Sequence, residues 1–150
     1  MRIWVICAML IGIYVPVHAS EENVRTFQRV DPLQLEKKVP RGFGKVFVEA
    51  GCQNNIDPLF LAAISAHESG AWMSKTARVK NNWMGLMTRR GSKRFVTPEA
   101  SIFYAAALLN RKPFKGHNSP GSIASIYCAT NPASWKKCVL QWRRQLTQGQ

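Results

Sequence analysis

The sequence predicts a mainly α fold with a small β-hairpin or irregular lobe, and three observations carry that prediction. Apolar residues recur at helical spacing in several separate stretches. Asp31-Pro32, Asp57-Pro58 and Thr97-Pro98 stand where helices would open, each a capping residue followed by proline at the first helical position. One run, Thr88 to Val96, is basic and without acid, and holds Gly91-Ser92 where a turn belongs.

Taken in order, residues 1–19 read as a signal peptide. Met1-Arg2 supplies a positive charge, Ile3 to Val15 carries none, and Val17-His18-Ala19 ends on the small residue that signal peptidase requires, so cleavage is expected between Ala19 and Ser20. The apolar run falls short of the roughly 20 residues that cross a bilayer. Cys7 and His18 would leave with the peptide. Residues 20–40 form an N-terminal leader, loose from Ser20 to Gln28, then a short helix opening at Asp31-Pro32.

The remainder, 41–150, is the main domain. Phe43, Val46, Phe47 and Ala50 lie on one helical face, with Gly51 placed as the C-cap. The best-defined helix runs from Asp57-Pro58 to Gly70, with Leu61, Ile64 and Glu68 on one stripe. Thr97 caps a helix from about Pro98 to Asn110 that turns Ile102, Ala106 and Leu109 inward. A further helix spans about Ser122 to Cys128. The last, from about Pro132 to Leu146, carries Trp135, Val139, Trp142 and Leu146 on one face.

The formal charge is +13; losing Arg2 with the leader leaves 20 basic against 8 acidic residues, a net +12. An exported chain of that charge meets anionic envelope polymers rather than nucleic acid. Of the three cysteines left, Cys52, Cys128 and Cys138, the close pair Cys128 and Cys138 flanks Asn131-Pro132 and is expected to form a disulfide in an oxidising compartment.

Glu68 holds most of the chemistry. A carboxylate on an apolar stripe in the last turn of a helix is disfavoured as an anion by desolvation and by the helix dipole, and both raise its pKa. A carboxylic acid that keeps its proton near neutrality is the donor a glycosidic oxygen requires. The same pattern also suits a paired core or rim acid. His67 points off the Leu61 stripe and is either a packing neighbour or part of a binding edge. No HExxH, CxxC or GxSxG is present, so neither metal nor cofactor is expected.

Blocks further along the chain, taken in order, extend this reading. The run from Asp57 to Met87, with His67-Glu-Ser-Gly-Ala-Trp72, Ser74-Lys-Thr-Ala77 and Asn81-Asn-Trp-Met-Gly-Leu86, resembles the family 73 glucosaminidases, exported enzymes that hydrolyse the peptidoglycan glycan strand. Arg94-Phe95 through Glu99 to Ile102 is similar to the stretch opening that family's next helix. Tyr127-Cys-Ala-Thr-Asn-Pro132 with Trp135-Lys-Lys137 is similar to its Y-A-T-D-P block.

The resemblance implies a lysozyme-like helical domain with the hairpin or irregular lobe beside a cleft, residues 41–150 being the glucosaminidase-like catalytic domain. It implies Glu68 as catalytic acid and Tyr127 as the cleft tyrosine that orients substrate or water. Asn82 and Trp83 would hold and stack the sugar, with His67 beside them, although the Asn81-Asn82-Trp83-Met84-Gly85 turn could equally pack the Trp83 ring into the core, while Glu99 stabilises a helix start. The second acid that the family often carries has no counterpart in Thr88 to Val96. Expected, then, is an endo-β-N-acetylglucosaminidase, monomeric and periplasmic or extracellular, acting on peptidoglycan, with an envelope-complex partner open. A lytic transglycosylase and a non-enzymatic cationic wall-binding protein stand as the alternatives.

Overall fold

The structure is a computed structural model that describes residues 23–148. The expected signal peptide, with Cys7 and His18, lies outside the described residues. Among the described residues the chain forms seven helices and one hairpin: α1 Pro32–Glu36, α2 Phe43–Asn54, α3 Pro58–Glu68, α4 Lys75–Lys80, β1 Met87–Thr88, β2 Gly91–Ser92, α5 Pro98–Leu109, α6 Pro120–Tyr127 and α7 Pro132–Thr147. The fold is mainly α with a two-stranded antiparallel sheet. None of these helices is long and apolar enough to cross a membrane.

Local chemistry sets the helix starts. Asp31, Asp57, Thr97, Ser119 and Asn131 each accept a backbone N–H, and each is followed by proline, which fixes φ and has no N–H to leave unpaired. Each cap contributes about 1 kcal/mol. Capping therefore accounts for where α1, α3, α5, α6 and α7 begin.

Helix α3 is the centre. Every residue from Pro58 to Ala66 is buried, so the helix has no solvent face and needs neighbours all round. Phe47 and Ala50 of α2, Ile102, Ala106 and Leu109 of α5, Ile123 of α6, and Trp135 and Val139 of α7 complete the core around it.

Two polar contacts lash α7 to α3. At the start of α3, Asp57 is fully buried; its Oδ1 caps Leu59 and its Oδ2 accepts from Arg143 Nε at 2.7 Å. At the end of α3, Glu68 accepts from Trp135. The first residues of one helix thus meet the later residues of the other, and the two run antiparallel.

Several boundaries differ from the sequence reading. Helix α2 runs through Gly51 to Asn54 and is capped by left-handed Asn55 at φ 52°. Gly51 serves packing instead, since a Cβ there would stand 2.7 Å from the Ile56 carbonyl oxygen. The hairpin turns at Arg89-Arg90, not Gly91-Ser92, pairing Met87 with Ser92 and Thr88 with Gly91. Helix α6 starts two residues early because Ser119 and Ser122 form a capping box.

The leader is not loose from Asn23 onward. Val24 is fully buried, and its amide and carbonyl bond Asn118 and Asp57. The expected Cys128–Cys138 bridge is not formed either. Cys128 closes α6 with its thiol beside the Thr130 hydroxyl, 3.8 Å away, and among the described residues Cys138 and Cys52 have no disulfide partner.

The Asp57–Arg143 pair makes a direct prediction. Arg143→Ala strands a buried carboxylate, so urea unfolding should show a loss of about 3–5 kcal/mol. A loss below about 1 kcal/mol, the scale of an exposed pair, would mean that the contact does not anchor α7.

Candidate active site

Glu68 ends α3 half-buried, facing α7 on one side and the turn from Asn82 to Leu86 on the other. Its Oε1 accepts from Trp135 Nε1 at 2.7 Å. Trp135 is itself held, edge-on to Phe60 and His67 and stacked on Tyr127 with centroids 5.1 Å apart. Tyr127 in turn donates its hydroxyl to the Met84 carbonyl at 2.6 Å.

Gly85 closes this ring. Its backbone is left-handed at φ +64°, and a Cβ added there would lie 2.7 Å from the Glu68 carboxyl carbon and closer still to Oε2. Only glycine lets the backbone come so near the carboxylate. Gly85 also lines a cleft of about 220 Å³ with Leu86, Met87, Phe114, Ile126 and Tyr127. One carboxylate oxygen is therefore fixed by an indole, while the other faces the glycine at the cleft wall.

The charge state follows from these surroundings. Burial pushes the Glu68 carboxyl above its ordinary range, opposed in part by the Trp135 hydrogen bond and by His67. Burial, and then the Glu68 charge, lifts the Tyr127 phenol well above its ordinary value. Tyr127 is thus a neutral hydrogen-bonding group near neutrality and no base. Among the described residues no cluster of three or more His, Cys, Asp or Glu could hold a metal.

Two residues expected to meet the sugar are turned inward. Asn82 is buried and uses its amide on Leu86 N, Leu86 O and Ser92 Oγ, at 3.0, 2.7 and 3.1 Å. Those bonds shape the turn that presents Gly85. Trp83 packs edge-on to Phe43 at 5.6 Å as a core ring, its indole N–H buried without a partner. His67 does reach the site, half-buried against Trp135. Glu99 lies exposed in the first turn of α5, a position suited to the helix dipole.

Beyond Glu68 the backbone takes three left-handed residues in succession, Gly70, Ala71 and Trp72, at φ 55°, 53° and 62°. For the two non-glycine residues this costs roughly 1–2 kcal/mol each. The Ser69 and Ser65 hydroxyls hold Trp72 in place through its amide and indole N–H, at 2.9 and 3.1 Å.

Trp135, Gly85 and Phe114 were not picked out as site residues from sequence. One signal was present: a buried indole seeks an acceptor, and Glu68 was the acid on the facing stripe. Of the other described acids, Asp31 serves as a cap, Glu36 holds the Gly42 and Gly44 amides, Glu49 pairs with Lys45 and Asp57 with Arg143, while Glu99 stands at the start of α5.

No protein-family model matches the chain, and no curated protein matches it.

Because the folded pKa of Glu68 lies above the unfolded value, the folded state binds more protons between the two, and stability falls as pH rises through that interval. Glu68→Gln should therefore melt higher than the parent near neutrality. The difference should vanish below the ordinary carboxylate range. A pH series of melting curves with no such convergence would mean that Glu68 is not held against its charge.

Proposed function

We propose that this protein cleaves glycosidic bonds in peptidoglycan, as an exported endo-β-N-acetylglucosaminidase with a lysozyme-like arrangement of acid helix, hairpin lobe and cleft. The observation that carries this reading is Glu68, a carboxyl disfavoured as an anion, fixed through one oxygen by Trp135 and set against the Gly85 backbone at the wall of an open cleft. The blocks similar to the family 73 glucosaminidases support it.

In this reading Glu68 gives its proton to the glycosidic oxygen as the C1–O bond breaks. Tyr127 acts from its place in the ring, holding Trp135 by stacking and the Met84–Gly85 segment by its hydroxyl. Among the described residues the other carboxylates are engaged elsewhere or stand at a helix start, so in this reading the substrate's acetamido oxygen supplies the attack on C1. Water then opens the cyclic intermediate and returns a proton to Glu68.

The single acid also suits a lytic transglycosylase, in which the C6 hydroxyl of the muramyl residue attacks C1 and leaves an anhydro end. Mass spectrometry of the released ends separates the two. A non-enzymatic cationic wall-binding role is the third reading.

The basic lobe supports an anionic wall partner. From Ser69 to Pro98 there is no acid, while Lys75, Arg78, Arg89, Arg90 and Arg94 are exposed. Binding to sacculi should weaken steeply once added salt brings the Debye length below about 8 Å. Salt-independent binding would reduce the cluster to a solvated surface.

The decisive variant is Glu68→Gln. Glycan release from purified sacculi should fall roughly 10²- to 10⁴-fold while binding to them persists and circular dichroism is unchanged. Release at the parent rate would remove Glu68 from the chemistry and leave the binding-protein reading.

A further inference from the structure

Opposite the Gly85–Met87 segment the cleft is lined by Ile126 and Tyr127 of α6 and by Phe114 of the loop of residues 110–118, which has little regular structure of its own. Its one buried side chain is Phe114, which lines the cleft and packs on Tyr127 with ring centroids 5.8 Å apart. Most of its neighbours in the loop, including Arg111, Lys112, Pro113, Lys115 and Gly116, are exposed, so burial alone gives the loop little reason to hold one shape.

A side chain far away in sequence holds it. The Arg25 guanidinium donates from Nε to the His117 carbonyl at 2.7 Å and from Nη1 to Asn110 Oδ1 at 2.8 Å. Its Nη2 donates to the carbonyls of Phe114, at 2.6 Å, and Leu109. These acceptors lie on three sides of one planar fork, a pattern that an ammonium on a flexible stem does not reproduce.

The segment carrying Arg25 is fixed in turn. Val24 N bonds Asn118 O at 2.9 Å, and Val24 O accepts from Asp57 N at 2.9 Å. Asn55 bonds both Phe27 N and Arg25 O. The leader is therefore a strap running from the start of α3 to the cleft loop.

We infer that Arg25 is a positioning residue for the cleft: through the carbonyls of residues 109–117 it sets the place of Phe114, and thereby the wall against which Tyr127 and a bound glycan rest. The inference builds on the reading of this cleft as the substrate site. It follows that the segment just behind the expected cleavage point belongs to the working enzyme, and that trimming the chain beyond Arg25 would loosen the cleft without touching Glu68.

The test uses Arg25→Ala and Arg25→Lys in the chain beginning at Ser20. Hydrogen exchange at the Lys115 and His117 amides, which bond within the loop, should quicken at least tenfold in Arg25→Ala. Exchange in α3 should stay at the parent rate. With sacculi as substrate, KM should rise about tenfold while kcat and the pH limb set by Glu68 are unchanged, the signature of lost binding rather than lost chemistry. Arg25→Lys should fall between the two in both readouts.

Loop exchange at the parent rate in both variants would overturn the inference. So would a fall in kcat accompanied by faster exchange in α3, which would make Arg25 a general stabiliser. Should the parent digest no sacculi, the hydrolase reading falls, and the exchange measurement still decides whether Arg25 holds the loop.

Discussion

Burial of α3 on every side is the constraint from which the rest of the structure follows. Each buried Leu, Ile or Phe on such a helix contributes about 1.5–3 kcal/mol, but only if other elements cover it completely. The covering is done by α2, α5, α6 and α7, and the polar groups at the two ends of α3 then have to be satisfied from inside the protein. Asp57 is answered by Arg143 and Glu68 by Trp135. The Glu68–Trp135 contact that lashes α7 to the end of α3 also builds the candidate site.

That double use explains the unusual state of Glu68. Its carboxyl ends a helix whose preceding turns are sealed, so it is partly desolvated. The Gly85 backbone is pressed against it where any larger residue would collide. The indole hydrogen bond and nearby His67 restore part of the anion's stability, but burial outweighs them and keeps the carboxyl above its ordinary range. Tyr127, Met84 and Asn82 matter through geometry: they carry the Gly85 turn to the carboxylate and keep it there.

The cleft is bounded by pieces with different degrees of support. On the Glu68 side the wall is anchored to the core through α3 and the Asn82 turn. On the Phe114 side it depends on the leader, since the loop has one buried side chain and a ring of carbonyls gathered by Arg25.

Much was legible in the sequence because it depends on neighbours in the chain. Asp-Pro, Thr-Pro and Asn-Pro steps set helix starts, helical periodicity set the buried faces, and Glu68 could be singled out as an acid on an apolar stripe. Boundaries governed by backbone geometry were less legible, as at Gly51, where close approach to Ile56 outweighs the usual role of glycine as a helix end. Asn82 and Trp83 illustrate the limit most clearly. Their residue types suit sugar binding, but which way a side chain turns depends on what the folded chain packs behind it, here Leu86, Ser92 and Phe43. The partners of Glu68 and Arg25 lie 67 and 84 to 92 residues away in the chain. No local pattern encodes such distances, so only tertiary packing could decide them.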